Sequence, residues 1–234
     1  MAGFSYRDLA VCFGWCPKLG APFRRREHAR RSIGEEKRAS DAPPLVYFFG
    51  LPGAGKNHCG EMLAREFGYV FRDGDRWLPE DLRDSLARGQ GFTPEQRDRY
   101  ASTIAAQIAR ERDAESSWAR EHARAPRPLA VAQATFKRKH RDLIRSAHPD
   151  ATFCWVRADD GTRFGRLARG GNLVDVDLGR RMAKDFEPPG HDEAAAVVDN
   201  SVSAGSSDED ALRQQLSSLV HGGGNGGLGG AEEK

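Results

Sequence analysis

The chain alternates between short apolar runs and longer segments in which apolar residues recur every third or fourth position. Leu45 to Phe49 is an unbroken apolar and aromatic run closed by Gly50, the pattern of a strand buried on both faces. Lys56 to Phe67 has apolar residues at helical spacing. Further strands are predicted at Tyr69 to Phe71, Leu129 to Ala132, Thr152 to Val156 and Ala194 to Val198. Helices are predicted over Pro79 to Arg88, Pro94 to Arg112, Lys137 to Ala147, Thr162 to Ala168, Asp177 to Phe186 and Asp208 to Val220. Two of these begin at a proline, where the missing N–H has no helical bond to lose. The alternation predicts an α/β fold of three layers, with a parallel sheet of about five strands covered by helices on both faces.

The ends of the chain break this pattern. Met1 to Pro44 carries Arg24-Arg25-Arg26 and Arg30-Arg31 and closes on Pro43-Pro44. It reads as a basic extension outside the core, either poorly ordered or a targeting segment. The end, "HGGGNGGLGGAEEK" (221–234), reads as a glycine-rich flexible tail. Residues 45–220 are left as one domain, which suits a chain of 234 residues with 38% hydrophobic and 30% charged positions. The net charge of +2 is too small to argue for nucleic acid, and no apolar run reaches membrane-spanning length. Cys12, Cys16, Cys59 and Cys154 form neither a disulfide framework nor a zinc set, so a reducing compartment is expected. That makes the expected location cytoplasmic, with organelle targeting by the extension as the alternative.

The chemistry starts where the first strand ends. Gly50-Leu51-Pro52-Gly53-Ala54-Gly55-Lys56 has the spacing of a phosphate-binding loop between a strand and a helix. Its glycines let the backbone wrap phosphate oxygens, the helix adds its positive end, and Lys56 adds a mobile charge. The next position normally carries a hydroxyl that holds Mg²⁺, and here it is Asn57. Its amide oxygen could serve a hard cation, or the residue could simply start the helix. Asp73-Gly74-Asp75 follows the second predicted strand, at the carboxyl edge of the sheet, where ligands bind in open α/β folds. Two carboxylates beside a phosphate loop suit two tasks: supporting Mg²⁺, assigned to Asp73, and orienting or deprotonating an attacking hydroxyl, assigned to Asp75. Gln133-Ala134 stand where many ATPases keep an aspartate after a strand, which argues against a motor or transport ATPase.

Taken in order, these pieces resemble the gluconate kinase family, related to shikimate kinase. The resemblance runs from about Leu45 to Asn200 and includes Asp73-Gly74-Asp75, Leu78-Pro79, Gly89, Pro94-Glu95-Gln96-Arg97 with Tyr100, "VAQATFKRKHRDLIR", and a lid-like "RLARGGNLVDVDLGRRMAKDFEPP". It implies a P-loop kinase fold with a short lid, using ATP and Mg²⁺ to phosphorylate a hydroxyl of a small sugar acid or related carbohydrate. Arg97, Lys137 and Arg141 match basic positions that face the acceptor, which implies an anionic small molecule. Arg166 and Arg169 match lid arginines that neutralise charge on the transferring phosphate, and the glycines of Arg169 to Asn172 could hinge the lid. A monomer or homodimer is expected, with no nucleic-acid or membrane partner. The departures are Asn57, Leu78 in place of histidine and Leu82 in place of asparagine, and Trp77 and Leu78 would make the acceptor pocket more apolar than the family's. A regulatory ATP-binding protein, a nucleoside-monophosphate kinase and a nucleic-acid binder using the basic extension are the competing readings.

Overall fold

Residues 42–170, 173–201 and 208–222 are described in the computed structural model. The basic extension up to residue 41, Cys12 and Cys16, the second half of the Arg169 to Asn172 hinge and the glycine-rich tail from residue 223 lie outside the described residues. The sheet has strands β1 (Leu45–Phe49), β2 (Val70–Asp73), β3 (Leu129–Ala132), β4 (Ala151–Arg157) and β5 (Ala195–Asp199). All pairings are parallel, in the order β2-β3-β1-β4-β5. The α-helices are α1 (Lys56–Phe67), α2 (Glu80–Ala87), α3 (Pro94–Glu121), α4 (Arg138–Ala147), α5 (Asp160–Ala168), α6 (Val176–Lys184) and α7 (Asp208–His221).

β1 lies at the centre and every one of its residues is buried, so it needs no polar face. Its alternate side chains feed two cores. Leu45, Tyr47 and Phe49 join Val131, Phe153 and the α3 residues Ile104 and Ile108. Val46 and Phe48 join Cys154, Val156, the α1 residues Cys59, Met62 and Leu63, and Leu212 and Leu216 of α7. Cys59 and Cys154 are free thiols buried in this second core, and burial pushes the Cys59 thiol up to about 12.

Two helices differ from the predicted spans in ways the local chemistry explains. α3 opens with a capping box in which Thr93 and Gln96 bond reciprocally, and Pro94 takes the first turn. It then continues nine residues past Arg112, to Glu121. That last stretch buries only Ala119, so no apolar stripe announces it, but its two alanines and two glutamates favour helix. α5 begins at Asp160 because Asp159 caps it, its carboxylate accepting from Thr162 N at 2.8 Å.

Among the described residues, one ion pair has both partners buried. Arg141 of α4 is 0% exposed and its guanidinium meets Glu193 twice, at 2.6 and 2.7 Å. Arg141 also donates to the carbonyls of Phe136 at 3.2 Å and Glu187 at 3.0 Å. Burial pushes the Glu193 carboxyl up, but the hydrogen bonds from Arg141 and the Gly190 N–H, together with the charges of Arg141 and Arg138, hold it below the usual range. A buried pair of this kind is costly to break from one side, since the survivor keeps a desolvated charge. Glu193→Ala should therefore lower unfolding stability in urea by about 3–5 kcal/mol, whereas the joint change of Arg141→Met and Glu193→Leu should recover most of the loss.

Candidate active site

β1, β2, β3 and β5 each deliver part of one site at their carboxyl ends. β1 runs into the loop Gly50 to Lys56, with Gly53 at φ 80° and Gly55 at φ 93°. A Cβ on Gly55 would collide with the Asn200 side-chain amide, so glycine is required there for space as well as for backbone angle. The loop's carbonyls are held from behind. Arg166 Nη1 donates to Gly53 O and Ala54 O, both at 3.2 Å, and Arg166 Nη2 donates to Asn200 O at 2.9 Å. Asn200, just past β5, donates its own side-chain N–H to Ala54 O at 2.9 Å. Arg163 Nε adds a bond to Pro52 O at 3.2 Å.

Lys56 opens α1, is 9% exposed, and donates to Leu51 O at 3.0 Å. Burial lowers its ammonium to about 8, although the Asp75 and Asp73 carboxylates pull the other way. Asn57 turns its amide nitrogen to Asp73, at 2.9 Å from Oδ2. A serine or threonine hydroxyl would donate to such a carboxylate in the same way. The arrangement uses Asn57 as a donor through nitrogen and leaves its side-chain oxygen for another partner. Asp73 Oδ1 accepts from the Asp75 backbone N–H at 2.9 Å, which fixes the short turn joining the two carboxylates.

Asp75 is anchored by a neutral network. Gln133 donates to Asp75 Oδ1 at 3.1 Å and to the Tyr100 hydroxyl at 2.6 Å. The Tyr100 hydroxyl in turn donates to Gly74 O at 2.6 Å. Burial first, and the neighbouring Asp73 second, raise the Asp75 carboxyl above its ordinary value, against the pull of Lys56 and Gln133. A carboxylate in this condition is a stronger base than a solvated aspartate. Gln133 and Asn200 are the contributors that sequence reasoning missed. Each directly follows a strand at the carboxyl edge of the sheet, and that position was the available signal.

A cavity of about 260 Å³ opens in front of these groups. Among the predicted site residues, Pro52, Gly53, Gly55, Lys56, Asn57, Asp75, Arg97 and Arg166 line it. Gly50, Leu51 and Ala54 shape the loop behind it, and Asp73 reaches it through Asn57. Of the lining residues, Arg97 donates to Asp185 at 2.7 Å. Three further predicted residues, Arg141, Lys137 and Arg169, also do not line the cavity. Arg141 has a different setting from the one expected, because Glu193 and two carbonyls occupy its guanidinium inside the core. Lys137 pairs with Glu187 at 3.2 Å. Arg169 is exposed at the C-terminal cap of α5. Among the described residues, no cluster of three or more His, Cys, Asp or Glu could hold a metal alone, and no helix is long and apolar enough to cross a membrane.

A phosphate loop at the head of a central parallel strand, with paired carboxylates on the neighbouring strand end and a helical lid, defines the fold of the P-loop kinases. No family model matches the chain. Over 155 residues it is 25% identical to the thermoresistant gluconokinase of Escherichia coli (strain K12), covering 66% of this chain and 82% of that one. Over 158 residues it is 25% identical to a mouse protein named "Probable gluconokinase", covering 64% and 78%. The crystal structure of a gluconokinase from Sinorhizobium meliloti 1021 superposes with a TM-score of 0.59 over 76% of this chain and 91% of that one, at 22% identity, which speaks for the fold. The resemblance to gluconokinase-like P-loop kinases is thus borne out, and these likenesses support a small-molecule kinase.

The lowered Lys56 has a measurable consequence. Below about pH 8 the ammonium is charged and attracts polyphosphate, and above it that charge is lost in the unliganded protein. ATP affinity measured by calorimetry should fall as pH rises through about 8, and Lys56→Arg, whose guanidinium stays charged, should remove that fall. A flat profile in the native protein would show that the lysine charge is not used.

Proposed function

We propose that this protein is an ATP-dependent small-molecule kinase that transfers the γ-phosphoryl group to a hydroxyl of a small acid, a sugar acid being the acceptor that the resemblance implies. The observation that carries the reading is the convergence of Lys56 and Asp75 on one cavity, the first from the phosphate loop and the second from the neighbouring strand end. The loop and the α1 N-terminus would bind the phosphates, and Lys56 would leave Leu51 O to meet the β and γ oxygens. Asp75 would accept the acceptor's hydroxyl proton as its oxygen forms the new bond to the γ-phosphorus. The bond from that phosphorus to the bridging β–γ oxygen breaks, ADP leaves with that oxygen, and a phosphate monoester remains. Gln133 would keep Asp75 aimed, and Arg166 would add positive charge beside the loop. The lid side chains Leu173, Val174 and Met182 would exclude water from the transfer.

The oxygen chemistry of Asn57 and Asp73 fits Mg²⁺, a hard cation that keeps most of its waters. The Asn57 side-chain oxygen and the Asp73 carboxylate are the groups that would hold it, directly or through water. When bound, it supplies charge neutralisation at the phosphates. Asn57 also favours a second reading, a regulatory ATP-binding protein without transfer, because the usual hydroxyl is gone. Purified protein assayed for ATP consumption against hydroxy acids, sugars and nucleoside monophosphates separates the two readings. Acceptor-dependent consumption supports the kinase. ATP binding without it, restored to transfer by Asn57→Ser, supports the regulator.

Asp75→Asn keeps the shape and removes the base. Turnover should drop about 10²–10⁴-fold with ATP affinity little changed, and normal turnover would remove Asp75 from the acceptor step. In a separate series, rate is followed against Mg²⁺ at fixed ATP. Asn57→Ser should remain active, and Asn57→Leu should need far more Mg²⁺ for half-maximal rate. An unchanged requirement in Asn57→Leu would make Asn57 a helix-start residue only.

A further inference from the structure

The cavity changes character along its length. Near the loop it is polar, with Lys56, Asn57, Asp75, Gln133 and Arg166. Beyond Asp75 the walls turn to hydrocarbon. Leu78, Leu86, Phe92, Ile104 and Phe136 line it there, and Leu78, Leu86 and Ile104 share one apolar cluster against which Phe92 packs. Leu173, Val174 and Met182 roof it from the segment leading into α6 and from α6 itself.

The polar side chains in this outer part are already engaged with protein. Thr135 shares a hydrogen bond with the Tyr47 hydroxyl at 2.7 Å. His140 shares one with Asp98 at 2.6 Å. Gln133, in the polar part near the loop, is likewise divided between Asp75 and Tyr100. Arg97 differs, because an arginine has five N–H donors and its partner Asp185 is half exposed. An incoming anion could share or replace Asp185 on that guanidinium.

A polyhydroxylated acid would have to set several hydroxyl groups against these hydrocarbon walls. Each would give up water without gaining a partner. A molecule that is polar only at its two ends meets no such penalty. Resting on the kinase reading above, we infer that the acceptor is a compact amphipathic hydroxy acid. One hydroxyl faces Asp75, one anionic group faces Arg97, and a ring or branched hydrocarbon body fills the space between. Transfer to it balances as before: its oxygen gains the γ-phosphoryl group, its proton goes to Asp75, and ADP leaves.

The test compares two acids that share a six-carbon frame or nearly so, gluconate and trans-4-hydroxycyclohexanecarboxylate. Binding of each is measured by calorimetry on the full chain saturated with a non-hydrolysable ATP analogue. The cyclohexane acid should bind at least about tenfold tighter, the discrimination that one or two methylenes give in an apolar pocket. Two variants probe the walls independently. Leu78→Gln and the more exposed Met182→Gln should each erase most of that preference, and Arg97→Gln should weaken both acids. Affinity for the ATP analogue, read on the same samples, reports whether each variant is folded. Equal or tighter binding of gluconate, or no saturable binding of the cyclohexane acid, overturns the inference. Gluconate preference with ATP-dependent phosphorylation would leave the kinase reading standing, whereas failure to bind the ATP analogue would remove the kinase reading itself.

Discussion

A phosphate loop must turn its backbone through left-handed conformations and still satisfy the carbonyls that the turn leaves without helical partners. In this protein that demand falls on Arg166 and Asn200. One guanidinium serves the carbonyls of Gly53, Ala54 and Asn200, and the Asn200 amide returns to Ala54. Both residues come from the far side of the sheet, from α5 and the end of β5. The loop therefore takes its shape only when β4 and β5 have paired beside β1. Hydrogen bonds to a charged group contribute about 1.5–3 kcal/mol each when well formed, so this brace is a large part of what fixes the loop.

The carboxylates obey a related logic. Asp73 stands close enough to Asp75 to disfavour its charge, and the structure answers with donors that keep both carboxylates in place. Asn57 and the Asp75 backbone N–H hold Asp73. Gln133 holds Asp75 and is itself locked by Tyr100 and by the backbone N–H of Ala134. These donors are neutral, so they orient the pair without cancelling its charge. Lys56 is the cation that responds to it, drawn toward the charged state by both carboxylates and away from it by burial.

The strands and the loop are legible in the sequence because their signals are local. β1 announces itself as an unbroken apolar run, and the glycine spacing after it has one mechanical use. The Asp73-Gly74-Asp75 turn is legible because it follows a strand. What sequence cannot show is pairing at a distance. Arg141 looks like a cation offered to a ligand, but the Glu193 that claims it lies 52 residues further along. Arg166 matches a lid residue by motif, yet its partners are the loop's own carbonyls, more than 100 residues earlier. The extra turns of α3 escape notice for another reason: a helix that projects past the core has no buried stripe to display.

The apolar roof of the cavity carries a thermal consequence. An acceptor that seals itself beneath Leu173, Val174 and Met182 removes hydrocarbon surface from water, and such burial has a negative heat-capacity change. The enthalpy of acceptor binding then becomes more favourable with each degree of warming, while its entropy becomes less so. Affinity would curve with temperature and pass through a maximum rather than follow a straight van't Hoff line. Nucleotide binding, which engages charge and backbone N–H groups at the loop, would show much less of this curvature. The two halves of one cavity would thus be distinguishable by calorimetry alone.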